Sequence, residues 1–130
     1  MGDLPATWRL PAIPGSVPRL RRRLLEAISG RGFDEDAVGL AVTEALTNAV
    51  RHAYPGSQGP VTLSVEQSAD RLVVVVTDEG IGTRSFTARS GSDREHGMGL
   101  PLLHDLCASV RVEPGSSGTN VTMAFAGAGR

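Results

Sequence analysis

The chain has 130 residues, 40% of them hydrophobic and only 4% aromatic, which is one domain's length with a core left mainly to Val and Leu. A formal net charge of −1 argues against a nucleic-acid binder held by bulk electrostatics. Lysine does not occur, so phosphate recognition has to come from arginine, backbone N–H groups and metal, never from a P-loop lysine.

The first predicted element is a short strand over Ala6 to Leu10, with Trp8 and Leu10 on one side. Pro11, Pro14 and Gly15 turn the chain. Ser16 is placed as the N-cap of a helix running to about Ser29, with Pro18 tolerated in its first turn. Val17, Leu20, Leu24, Leu25 and Ile28 line its apolar stripe, while Arg19, Arg21, Arg22 and Arg23 read as a solvated basic face. Gly30 to Gly32 breaks the chain. Asp34, Glu35 and Asp36 then open a second helix, their charge matched to its N-terminal dipole. It runs to about Ala53 and is ended by Tyr54-Pro55-Gly56.

Val61, Leu63 and Val65 alternate and predict a strand. Arg71 to Thr77 is apolar on both faces and reads as a central strand, and the tight turn Ala69-Asp70 makes the two an antiparallel hairpin. From Gly80 to Gly99 periodicity is lost, and a loop this long within a compact domain reads as a functional lid or a disordered segment. Leu100 to Ala108 predicts a helix, Ser109 to Glu113 a strand, Pro114 to Gly118 a turn and Asn120 to Phe125 a last strand. Ala126 to Arg130 is expected to fray. This order predicts an α+β fold over 1–130, a two-layer sandwich of a mixed, mostly antiparallel sheet with helices on one face.

The single cysteine, Cys107, cannot form an internal disulfide, which suits a reducing compartment; it reads as a small apolar core residue rather than a nucleophile. No secretory leader is legible in Met1 to Leu10, and the longest apolar run, Leu72 to Val76, is too short to span a bilayer. A cytoplasmic, non-membrane protein is expected.

Four short patterns carry chemistry. Glu44, Asn48, Arg51 and His52 stack on one face of the otherwise apolar second helix. A carboxamide oxygen there suits Mg²⁺, and a carboxylate one turn away suits orienting or deprotonating a hydroxyl; a merely wet helix face is the alternative. Asp78-Glu79-Gly80-Ile81-Gly82 follows the central strand. Its aspartate can accept from an exocyclic amine, while Gly80 and Gly82 let backbone lie against a flat ring, although a plain turn has the same composition. Gly97-Met98-Gly99-Leu100 opens a helix and can present free N–H groups to phosphate oxygens. Gly118-Thr119 precedes the last strand.

Together and in this order, over about Asp34 to Phe125, these patterns closely resemble the GHKL ATPase/kinase family. The resemblance implies the Bergerat fold, with ATP held under a mobile lid. It implies Glu44 as the general base or water-orienting acid, Asn48 as the Mg²⁺ ligand and Asp78 as the adenine-reading aspartate, supported by Gly80 and Gly82. It further implies Gly97, Met98, Gly99 and Leu100 as the phosphate turn and Thr119 as support for the adenine contact. Arg51 is open between a phosphate contact and a surface ion pair, and His52 reads as a packing and capping residue. The run Glu44-Ala-Leu-Thr-Asn48-Ala-Val-Arg-His52-Ala-Tyr54 is similar to the anti-sigma-factor serine kinases of bacterial partner-switching systems. That implies a sigma factor or an anti-sigma-factor antagonist as partner, with a homodimer as a further expectation. The alternatives are a nucleotide-dependent binding module without kinase activity and a detached histidine-kinase catalytic domain, against which the short lid counts.

Overall fold

A computed structural model of the chain describes residues 3–80, 100–115 and 117–127. The elements follow in the order β1 (Ala6–Pro11), α1 (Ser16–Ile28), α2 (Glu35–His52), β2 (Pro60–Ser68), β3 (Arg71–Asp78), α3 (Leu100–Leu106), β4 (Ser109–Gly115) and β5 (Gly118–Ala126). The five strands form one sheet in the order β1-β2-β3-β5-β4, and each of the four pairings is antiparallel. The expected hairpin joins β2 to β3, with Ser68 opposite Arg71 and Ala69 at φ 56° in the turn. β3 is the central strand.

Side-chain alternation divides the sheet into two faces. Leu72, Val74 and Val76 of β3 are buried together with Leu63 and Val65 of β2 and Met123 and Phe125 of β5. α1 and α2 supply the other half of this core through Leu20, Leu24 and Ile28 and through Val38, Val42 and Leu46, each set spaced about one turn apart. The opposite face keeps Ser64, Val73, Val75 and Thr122 half-buried. Two layers with helices on one side follow from that asymmetry. Asp78 and Thr119 continue the helix-covered series of β3 and β5, so the pleat delivers both to the side on which α2 lies.

Local chemistry explains most boundaries. The Asp34 carboxylate accepts from the Ala37 amide at 3.1 Å and caps α2, whose first turn carries Glu35 and Asp36. The expected Ser16 cap is not realised. Gly15 occupies the cap position without a side-chain bond, while Ser16 is the first residue of α1 and only 2% exposed. α1 stops at Ile28 rather than Ser29. Pro114 and Gly115 extend β4 and pair with Thr119 and Gly118; proline is tolerated there because β4 is an edge strand. Ala126 belongs to β5 opposite Arg71, and the Gly127 amide donates to the Asp70 carbonyl, so the last strand runs further than expected. Of the lid expected from Gly80 to Gly99, Gly80 is ordered and buried, whereas residues 81–99 lie outside the described residues.

Candidate functional site

β3 ends at Asp78, which is 3% exposed, and its register partner on β5 is Thr119, 2% exposed. A carboxylate and a hydroxyl this deeply buried need polar partners. The Asp78 Oδ1 accepts from the Gly80 amide at 3.1 Å. The Thr119 hydroxyl has no hydrogen-bond partner among the described residues. One residue back, on the open face, Thr77 donates to the Asn120 side-chain oxygen at 2.8 Å and ties the same two strands together.

Two glycines make this corner possible. A Cβ on Gly118 would overlap the Asp78 carbonyl, and the residue sits at φ 146°, a conformation that side chains other than glycine rarely adopt. A Cβ on Gly80 would overlap the carbonyl of Ala53, the C-cap of α2. The exit of β3 therefore packs directly on the end of the helix that carries the other candidate residues.

On α2, Glu44 is half-buried and Asn48, one turn on, is 4% exposed. Arg51 is exposed and His52 half-buried in the last turn. Burial, and secondarily the charge of Arg51, hold the His52 imidazole below its usual value, so the ring is neutral near pH 7. That fits its reading as a packing residue. The basic face of α1 is solvated as expected, with Arg19, Arg21, Arg22 and Arg23 all exposed. A groove of about 530 Å³ runs beside it between Pro18, Arg21, Arg22, Leu25, Glu26 and Ser29, on α1 rather than at Asp78. None of the residues lining it carries a buried polar side-chain atom without a partner. Cys107 is half-buried after α3, and burial pushes its thiol up to about 11, which makes it a poor nucleophile.

The structure thus joins Asp78, Gly80 and Thr119 in one corner and places Glu44 and Asn48 on the helix that abuts it. Gly82, Gly97, Met98 and Gly99 lie outside the described residues, and Leu100 begins α3. Sequence reasoning places Tyr54 in the helix stop and at the end of the run from Glu44, with no role in the site. Its hydroxyl donates to the Pro60 carbonyl and accepts from the Glu79 amide at 2.8 Å, which puts it at the same corner. The usable signal was the chain's single tyrosine standing directly after the helix, with glycines at 59 and 80 where its ring has to fit.

Among the described residues no helix is long and apolar enough to cross a membrane. A family model described as the histidine kinase-like ATPase domain matches residues 10–125. The serine-protein kinase RsbW of Bacillus subtilis is 34% identical over 130 aligned residues, 88% of this chain and 81% of that protein. The anti-sigma F factor of Clostridium acetobutylicum is 33% identical over 97 residues, 68% of this chain and 67% of that one. Among solved structures, the RsbU and RsbW domains of a Mycobacterium tuberculosis protein superpose with a TM-score of 0.68 over 93% of this chain and 32% of that one, at 21% identity. The buried aspartate–threonine corner, the antiparallel sheet under two helices and the match along nearly the whole length lead to one assignment: this chain belongs to the histidine kinase-like ATPase domain family.

Proposed function

We propose that the protein is a serine-protein kinase and anti-sigma regulatory factor that uses Mg·ATP to modify an anti-sigma-factor antagonist in the bacterial cytoplasm. The observation that carries the nucleotide part is the Thr119 hydroxyl, buried without a partner beside the Asp78 carboxylate. An adenine ring seated there offers an amine donor to Asp78, and Gly80, whose bare Cα makes room for the Ala53 carbonyl and the Tyr54 ring, holds the turn that presents the carboxylate. Thr119 supplies the second polar contact, directly or through water. The protein-level part rests on relatives called serine-protein kinase RsbW and anti-sigma F factor.

Among the described residues no group of three His, Cys, Asp or Glu side chains could cage a metal. A single buried carboxamide suits Mg²⁺ better than such a cage, because that ion takes few protein oxygens and completes its shell with water and phosphate. Asn48 is the residue that would hold it, where it would offset the negative charge of the phosphates. Glu44 takes the proton of the incoming serine hydroxyl as that oxygen attacks the γ-phosphorus, and the bond from the bridging oxygen to the γ-phosphorus breaks with its electron pair leaving on ADP. Gly82, Gly97, Met98, Gly99 and Leu100 contribute phosphate contacts, with Arg51 as an additional cation. Most of the acceleration comes from holding the two reactants in line.

Incubation with labelled ATP and candidate antagonists tests this reading. Acid-stable, alkali-labile phosphoserine on the antagonist is the expected product. Acid-labile phosphohistidine would identify a detached histidine-kinase domain, and ATP binding without transfer would identify a nucleotide-dependent binding module. A pull-down from the native cell names the sigma factor or antagonist, and sedimentation measures whether the protein is a homodimer.

A further inference from the structure

We propose that Tyr54 is the positioning residue of the base-reading corner: its hydroxyl, held between the Pro60 carbonyl and the Glu79 amide, fixes where Asp78 presents its carboxylate. The sequence puts Tyr54 two residues beyond the end of α2, immediately after the cap residue Ala53. From there the ring fills a slot bounded by Gly59 and Gly80. A Cβ on either glycine would run into it, so any larger residue at those positions would displace the ring.

The hydroxyl uses both of its capacities, donating to the first residue of β2 and accepting from the first residue beyond β3 at 2.8 Å. Burial raises the phenol above its ordinary value, which keeps the proton that the Pro60 bond requires. The turn Asp78-Glu79-Gly80 is then held by two successive amides. Glu79 N–H is taken by Tyr54 and Gly80 N–H by the Asp78 carboxylate at 3.1 Å. The second bond orients the acid, and the first fixes the peptide that makes the second possible. Arg9 also reaches Glu79 at 3.4 Å, but both side chains are at least half exposed and such a pair holds little. Tyr54 is therefore the hydrogen-bonded anchor, and it acts through Asp78 rather than on the nucleotide.

This inference rests on Asp78 being the adenine contact, so the test varies the base. Affinities for ATP and for inosine triphosphate, which lacks the exocyclic amine, are measured with Mg²⁺ for wild type, Tyr54→Phe, Asp78→Asn and the double variant. Wild type should prefer ATP. Tyr54→Phe should lose about fivefold in ATP affinity, the effect of one ordinary hydrogen bond, with inosine triphosphate unchanged. The double variant should be no worse than Asp78→Asn alone. Equal loss for both nucleotides, or an ATP preference as large as in wild type, would make Tyr54 a packing residue and overturn the inference while the adenine reading stands. No base preference in wild type would overturn that reading and this inference with it. A second measurement leaves the fold untouched. Because Tyr54 is the only tyrosine, 3-fluorotyrosine labelling gives a single fluorine resonance. It should move with ATP and less with inosine triphosphate; a resonance indifferent to ATP would contradict the inference.

Discussion

Asp78 and Thr119 stand directly opposite each other on β3 and β5, both buried; the aspartate accepts from the Gly80 amide, whereas the threonine hydroxyl has no hydrogen-bond partner among the described residues. An unmatched buried hydroxyl costs about 1–3 kcal/mol in the free protein. Its retention makes sense where a bound molecule supplies the missing partner.

Thr119→Val should accordingly act with opposite signs on stability and on binding. Valine keeps the shape and suits a strand, so the free variant should gain about 1 kcal/mol in denaturant unfolding. ATP affinity should fall severalfold in the same protein. A variant that lost stability would show that the hydroxyl already has a partner.

Glu44→Gln should separate binding from chemistry. The amide preserves size and packing at this half-buried position of α2 but takes no proton from a serine. Nucleotide affinity should stay within about twofold of wild type, while phosphorylation of an antagonist drops by roughly 100-fold or more. Equal turnover in the two proteins would leave Glu44 only a water-orienting or packing role.

The thiol of Cys107 offers a pH test. Burial raises it from 9.0 to about 11 in the folded protein. The folded state therefore favours the protonated form, and this contribution to stability is complete below pH 9 and is lost as pH rises through about 11. Iodoacetamide at pH 8 should label native protein much more slowly than protein in urea. Equal rates would place the thiol at the surface.

Much of the fold could be read from local pattern. The alternation of Val61, Leu63 and Val65, the apolar run after Arg71 and the acidic opening of α2 each depend on neighbours in sequence, and each element formed where expected. The register that sets Asp78 against Thr119 depends on which strand docks beside β3, and nothing near either residue encodes that. Ser16 shows the same limit. Its type predicts a cap, but packing buries it at the first position of α1 and leaves Gly15 as the cap residue. Within the site, the spacing Asp78-x-Gly80 was legible as a motif, although its glycine makes room for the Ala53 carbonyl rather than for the expected flat ring. The role of Tyr54 was not, because its partners Pro60 and Glu79 are brought to it only by the hairpin.

The most direct test is a calorimetric titration of wild type and Asp78→Asn with Mg·ATP, with a thermal melt of each protein as the control for folding. Asparagine fills the same space but loses the charge that accepts from the adenine amine. One charge-assisted hydrogen bond is worth about 1.5–3 kcal/mol, so affinity should fall roughly 10- to 100-fold while the melting temperature stays close to that of wild type. A well-folded Asp78→Asn that binds ATP as tightly as wild type would contradict the placing of adenine between β3 and β5.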